Sequence, residues 1–222
     1  MDEVSRQARW EQRTEIPLAF ASLVFLALYA VLVLAQDLSG AWRDLCTALM
    51  SLAWLMFAVD YGVRWWLSGQ GLRFVPTHKV DTAVVVLPLL RPLRVVKLYE
   101  AIQRRHGEPR LSLYARVIAY AGLTTVLLGF ACSLAVYDRE RGAPGSEMHS
   151  FGDALWWACA TLTTVGYGDV VPVTTGGRTI AVGLMACGLA LLGAVTGSFS
   201  SWLVQVFSLE SDRGDGDGPP GS

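Results

Sequence analysis

The stretch Thr164-Val165-Gly166-Tyr167-Gly168, with Asp169 directly after it, decides how the whole chain is read. Glycine reaches backbone angles that other residues adopt only at a cost. Gly166 and Gly168, alternating with Val165 and Tyr167, can turn successive carbonyls toward one axis. Carbonyls so arranged can replace the water shell of a dehydrated ion. One chain supplies one wall of such a tube and four are needed to close it, so the motif by itself argues for a homotetramer. The competing interpretation, a glycine-rich turn, loses ground once the flanking residues are considered.

The chain has 222 residues, of which 53% are hydrophobic and 17% charged. Its mean hydropathy is +0.40. That is too apolar for an ordinary soluble domain and indicates a membrane protein. The formal net charge of −1 implies no nucleic acid or other bulk electrostatic partner. The cysteines Cys46, Cys132, Cys159 and Cys187 are scattered in apolar segments without a C-x-x-C pair, the pattern of buried small side chains rather than metal or disulfide chemistry. His78, His106 and His149 fall outside the apolar segments. Met1 to Arg13 is polar, with Arg6, Arg9 and Arg13, which is not a cleavable signal.

Uncharged Ile16 to Ala35 matches the length a helix needs to cross a hydrocarbon core of about 30 Å. Residues 1–15 form a cytoplasmic N-terminal segment ahead of it. Leu45 to Leu67 is a second segment, interrupted by Asp60 and Arg64. The region Val75 to Arg105 accommodates only a shortened third and fourth segment, because two full crossings need about forty residues and a turn. Pro88 and Pro92 interrupt helix there as well. Leu111 to Tyr137 is a fifth segment and Gly177 to Phe207 a sixth. Residues 208–222 are acidic, Gly/Pro-rich and read as a disordered cytoplasmic tail. Basic residues cluster before the first segment, after the second and before the fifth, so the positive-inside rule puts both termini in the cytoplasm and the Gln36–Asp44 and Asp138–Ser150 loops outside. The expectation is an all-α, multi-pass protein of the cell membrane, in contact with lipid.

Ser150 and Asp153 fit an S-x-x-D capping pair. A helix from Phe151 to about Thr163 would be roughly 20 Å long at 1.5 Å per residue, too short to span. It must dip into the membrane and return through the glycine-containing run. Its C-terminal end, carrying partial negative charge, would favour a cation near the bilayer centre.

The run Ala154-Leu155-Trp156-Trp157, followed by Thr163 to Asp169, Pro172, Gly176 and Arg178, resembles the pore of potassium channels, over roughly Ser150 to Phe207. The resemblance implies a K⁺-selective channel of the six-segment, prokaryotic, voltage-gated-like type, not an enzyme, with K⁺ as permeant ion and no cofactor. It places K⁺ at Thr164, Val165, Gly166 and Tyr167, with Gly168 completing the filter. It has Trp156 bonding Asp169, while Trp157 with Thr161 holds Tyr167. Gly188 matches the family's hinge glycine, although Gly193-x-x-x-Gly197 on the same helix also suggests close packing through small residues. Where proton-gated relatives carry a glutamate on the pore helix, this chain has Ala160.

The first half, 16–110, resembles a voltage sensor and precedes a pore domain, 111–207. Charges inside spanning segments are costly and point to function. Phe57 and Asp60 match the aromatic and acid over which sensor cations pass, and Asp81 the acid of the third sensor helix. Arg91, Arg94 and Lys97 recur every third residue as sensor charges. Three charges crossing half the field would gain roughly 3–4 kcal/mol per subunit per 100 mV, enough for weak voltage dependence. The alternative is a channel gated by pH, lipid or tension with a non-sensing first half. A transporter or accessory subunit is a further alternative that the single, complete filter disfavours.

At the outer mouth the family's block site for quaternary ammonium is a ring of aromatic faces acting through cation–π attraction. Val171 stands at that position. External tetraethylammonium should therefore block weakly; half-block at sub-millimolar concentration would overturn this.

Overall fold

The computed structural model describes residues 2–35, 37–68 and 113–214, and these are helices joined by short loops. In chain order the helices are α1 (Asp2–Leu34), α2 (Gly40–Ser68), α3 (Leu113–Glu140), α4 (Phe151–Leu162) and α5 (Thr175–Gly214). Four stretches among the described residues are long and apolar enough to cross a membrane: Ile16–Leu34, Gly40–Val63, Ile118–Glu140 and Thr175–Val204. The expected third and fourth segments, with Asp81, Arg91, Arg94 and Lys97, lie outside the described residues.

Two boundaries differ from the sequence reading. The N-terminal polar segment is not separate: α1 runs unbroken through Pro17 from Asp2. The ring nitrogen removes one donor, yet helix on both sides carries the chain through. Trp10 on this extension reaches α2, its Nε1 donating to Asp60 Oδ1 at 3.3 Å. At the other end α5 continues past Phe207 to Gly214, so residues 208–214 are helix rather than disordered tail. Helix already nucleated upstream propagates through Leu209 and Glu210 at little cost, and glycine suits its end.

Helices α1 and α2 pack as a pair, and α3 is the hub of the rest, lying along α5 and against α4 and α1. The core joins Leu128, Ala131, Cys132, Leu134 and Val136 of α3 to Leu26 and Val33 of α1, Trp157 of α4 and Leu184 of α5. Within a bilayer such packing is held by close van der Waals fit and interhelical hydrogen bonds rather than by water exclusion. Phe151, at the start of α4, meets two α3 rings edge-on: Phe130 at 5.7 Å and Tyr137 at 6.2 Å between centroids. All four cysteines are free, and Cys159 is exposed on the single chain rather than buried as its apolar context suggested.

The start of α4 is built by its sequence alone. Ser150, in extended conformation, accepts through Oγ from the Asp153 amide at 3.2 Å, and Asp153 Oδ2 accepts from the Ser150 amide at 2.7 Å. The same carboxylate oxygen accepts from the His149 amide at 3.0 Å. These bonds, from the Ser150 amide foremost and then its hydroxyl, hold the Asp153 carboxyl below the usual carboxylate range.

The start of α5 is built by tertiary structure. Glu140, the last residue of α3, is 0% exposed. Its Oε1 accepts from the Thr174 amide at 3.0 Å and the Thr174 hydroxyl at 2.6 Å, and its Oε2 from the Val173 amide at 3.1 Å. Thr174 Oγ1 accepts in turn from the Gly177 amide at 2.9 Å, capping α5. A Cβ at Gly177 would collide with Glu140 Oε1, so only glycine leaves room for the carboxylate.

Two outcomes follow. Glu140→Ala strands three donors in a buried setting and should cost about 3 kcal/mol, seen as a lowered melting temperature in detergent; an unchanged melt would refute the staple. Asp153 has a folded-state pKa below its unfolded value, so its contribution is complete above the unfolded value and lost only as pH falls through the folded one. Hydrogen-exchange protection factors in the first turn of α4 should hold from neutral pH down through the ordinary aspartate range, whereas Asp153→Asn lowers them at every pH.

Candidate functional site

From Thr163 onward the chain leaves α4 and doubles back toward the α5 start. Thr164, Gly166 and Gly168 have positive φ, of 60°, 56° and 75°. Val165 and Tyr167 lie between them, and Thr164 is the one non-glycine residue with positive φ among those described. Alternation of this sign turns successive N–H groups to one side of the ribbon and the carbonyls to the other. The hydrogen bonds say which side is which. The Thr164 amide donates to Thr161 O at 3.1 Å and the Gly166 amide to Ala160 O at 3.0 Å. Those acceptors belong to the last turn of α4, where helix carbonyls lack helical partners. In a trans peptide the preceding carbonyl points the opposite way, so those of Thr163 and Val165 face away from α4. The run is exposed on the single chain, Val165 at 56% and Tyr167 at 64%.

What pattern reading missed is the left-handed backbone of Thr164. Glycine announces a left-handed backbone; a β-branched threonine there is strained, by about 1–3 kcal/mol. The strain is sustained because the amides on either side of Val165 are already committed to α4. Thr163 closes the helix end with its own hydroxyl, donating to Cys159 O at 2.7 Å.

Trp156 Nε1 donates to Asp169 Oδ2 at 2.8 Å, and the other oxygen of Asp169 accepts from the Val170 amide at 3.0 Å. The Trp156 ring also stacks on Tyr167, 5.3 Å between centroids and 7° from parallel. The contact that Trp157 and Thr161 were expected to make with Tyr167 does not form within one chain. Successive helical residues point about 100° apart, so with Trp156 on the ribbon, Trp157 turns into the core, where it is 4% exposed. Ala160 is also buried, at 8% exposure.

Below the ribbon, the last residue of α4 is wedged between two helices. A Cβ built on Gly129 of α3 would lie 3.0 Å from Leu162 Cδ1, and one on Gly188 of α5 would lie 3.3 Å from Leu162 Cδ2. Gly188 is thus a notch that admits Leu162, in a helix that is continuous across it. In the first half, Phe57 at 0% and Asp60 at 3% exposure are buried together on one face of α2.

Residues 122–205, covering most of α3 through α5, match a family described as ion channel. A voltage-gated potassium channel of Aeropyrum pernix is 29% identical over 86% of this chain and 73% of its own length. A cyclic nucleotide-gated potassium channel of Mesorhizobium japonicum is 30% identical over 81% of this chain and 54% of its own length. A calcium-gated potassium channel of Thermoplasma volcanium is 34% identical over 53% of this chain, which spans 31% of that relative. With four stretches long and apolar enough to cross a membrane among the described residues, and an ion-channel match that spans the Thr164–Gly168 ribbon, the chain is a multi-pass membrane protein that carries an ion-channel domain, not an enzyme, and it is similar to these prokaryotic potassium channels.

Proposed function

We propose that four copies of this chain assemble around the Thr164–Gly168 ribbon and conduct K⁺ passively and selectively across the cell membrane. The observation that carries this reading is the alternating backbone: amides of Thr164 and Gly166 tied to α4, carbonyls turned to the free side. Carbonyls of Thr164, Val165, Gly166 and Tyr167, with the Thr164 hydroxyl, would ligate the ion in place of water. A second support is the uncovered apolar surface. Val182, Met185, Leu189 and Leu192 of α5 are all more than half exposed on the single chain. In a tetramer they would line the central cavity or pack on neighbours. The α4 C-terminus would then add partial negative charge beneath the filter, and Trp157 and Thr161 could meet Tyr167 of an adjacent copy.

The reading extends to six segments, the third and fourth shortened, with both termini cytoplasmic and weak voltage dependence from Arg91, Arg94 and Lys97. A first half that does not move is the second reading. It draws support from the Trp10–Asp60 hydrogen bond, which engages the proposed counter-charge from α1. Reconstitution into planar bilayers under a K⁺/Na⁺ gradient with a voltage ramp tests both. Reversal at the K⁺ equilibrium potential is expected, and reversal midway between the two ions would sink the selectivity claim. Arg94→Gln with Lys97→Gln should flatten the conductance–voltage curve; an unchanged slope favours the static first half.

Gly188→Ala would press a methyl group on Leu162 at the foot of the filter, overpacking by about 1–3 kcal/mol. Unitary K⁺ current should fall, and adding Leu162→Ala should restore part of it. A Gly188→Ala channel with normal current would show that the notch is not used.

A further inference from the structure

The ends of α1, α2 and α3, with the loop before α4, border an open cavity of about 640 Å³ lined by Leu32, Arg43, Thr47, Tyr137, Arg141 and His149. None of its lining residues belongs to the ribbon, and the conduction reading makes no use of it. Its lining offers two guanidiniums, an imidazole, an aliphatic hydroxyl and a phenol, and no carboxylate. The volume falls in the range of small-molecule sites, about 300–1,000 Å³.

Arg141 is held in place from behind. Its Nη1 donates to Val33 O, an end carbonyl of α1, at 2.8 Å, and its Nη2 meets Asp138 Oδ1 at 3.0 Å. A guanidinium so fixed has already given up much of its side-chain freedom, and its remaining N–H groups suit the paired oxygens of a phosphate. Asp138 offsets part of its charge. Arg43, one turn into α2, is exposed and leaves the cavity positive.

Depth narrows the ligand. Leu32 lies at the end of α1, Arg43 and Thr47 at the start of α2, and Tyr137 near the end of α3. These are the limits of the apolar spans, the level at which headgroups lie. Trp42, beside Arg43 and 61% exposed, has the placing of an interfacial anchor. Arginines at this end also run against the orientation rule, which concentrates them on the other side.

We propose that this cavity binds a phosphate group, carried by the headgroup of an anionic glycerophospholipid in the adjoining leaflet or by a free phosphate ion. The proposal rests on the chain lying in a membrane and is independent of which ion it passes. Because the readout is bound mass and melting rather than current, its failure is separable from failure of the K⁺ reading.

The test uses the full chain, purified in detergent and examined by native mass spectrometry with added phosphatidylglycerol or phosphatidylcholine. Phosphatidylglycerol should be retained in preference, and Arg43→Gln should weaken retention about tenfold. In parallel, inorganic phosphate is titrated while melting is followed. A phosphate-induced stabilisation that Arg43→Gln removes, without lipid preference, assigns the free ion as the source. His149→Gln supplies a second variant should Arg43→Gln melt early without lipid. Retention of both lipids equally by wild type and variants, with no variant-sensitive response to phosphate, overturns the site.

Discussion

The constraint on which everything else depends is the fate of backbone polar groups at membrane depth. A non-helical ribbon there must satisfy its own amides and carbonyls or face a hydrated path. In this chain the amides of Thr164 and Gly166 bond to carbonyls of the last α4 turn. Those carbonyls are the ones a helix end leaves unpaired. Two sets of unsatisfied groups thus satisfy each other, and the carbonyls of Thr163 and Val165 are left facing away from α4. The left-handed Thr164 is sustained by that exchange.

A ribbon held only along one edge would still be loose at its outer end. Asp169 prevents this by taking Trp156 of α4 on one oxygen and its own neighbour's amide on the other. Glu140 extends the hold by gathering Val173 and Thr174 onto the end of α3. The ribbon therefore hangs between α4, fixed by its capping box, and the α5 start, fixed by a buried carboxylate. Leu162, wedged at Gly129 and Gly188, ties the same unit to the two long helices. A shift of α5 at Gly188 would therefore press directly on Leu162 and the end of α4.

The first half presents a different chemistry. Asp60 and Phe57 are buried together, and Trp10 reaches Asp60 from a part of α1 that carries many polar residues. An acid inside a spanning helix is costly unless engaged, and this engagement comes from within the helix pair. The Arg141 bond to Val33 joins that pair to the end of α3, beside the cavity with its two arginines. The helix pair and α3 are thus linked by a polar contact at the ends of their apolar spans.

Composition and local pattern determined much by themselves. Uninterrupted apolar length required membrane helices, and the spans at 16–34, 40–63, 118–140 and 175–204 follow the expected segments closely. The Ser150–Asp153 box and the glycines of the ribbon act over three or four residues, so they were readable directly. Interactions between residues far apart in sequence were not readable. Glu140 looked like one more charge in a polar loop, because its partners lie more than thirty residues away. Trp156 and Trp157 are adjacent in sequence, and only the helix phase decided that one faces the ribbon and the other the core. The seating of Leu162 against Gly188 joins residues 26 positions apart and was equally hidden in the sequence. Short-range capping and hydrophobic length are written in consecutive residues, whereas packing notches, buried staples and side-chain facing exist only once the helices have met.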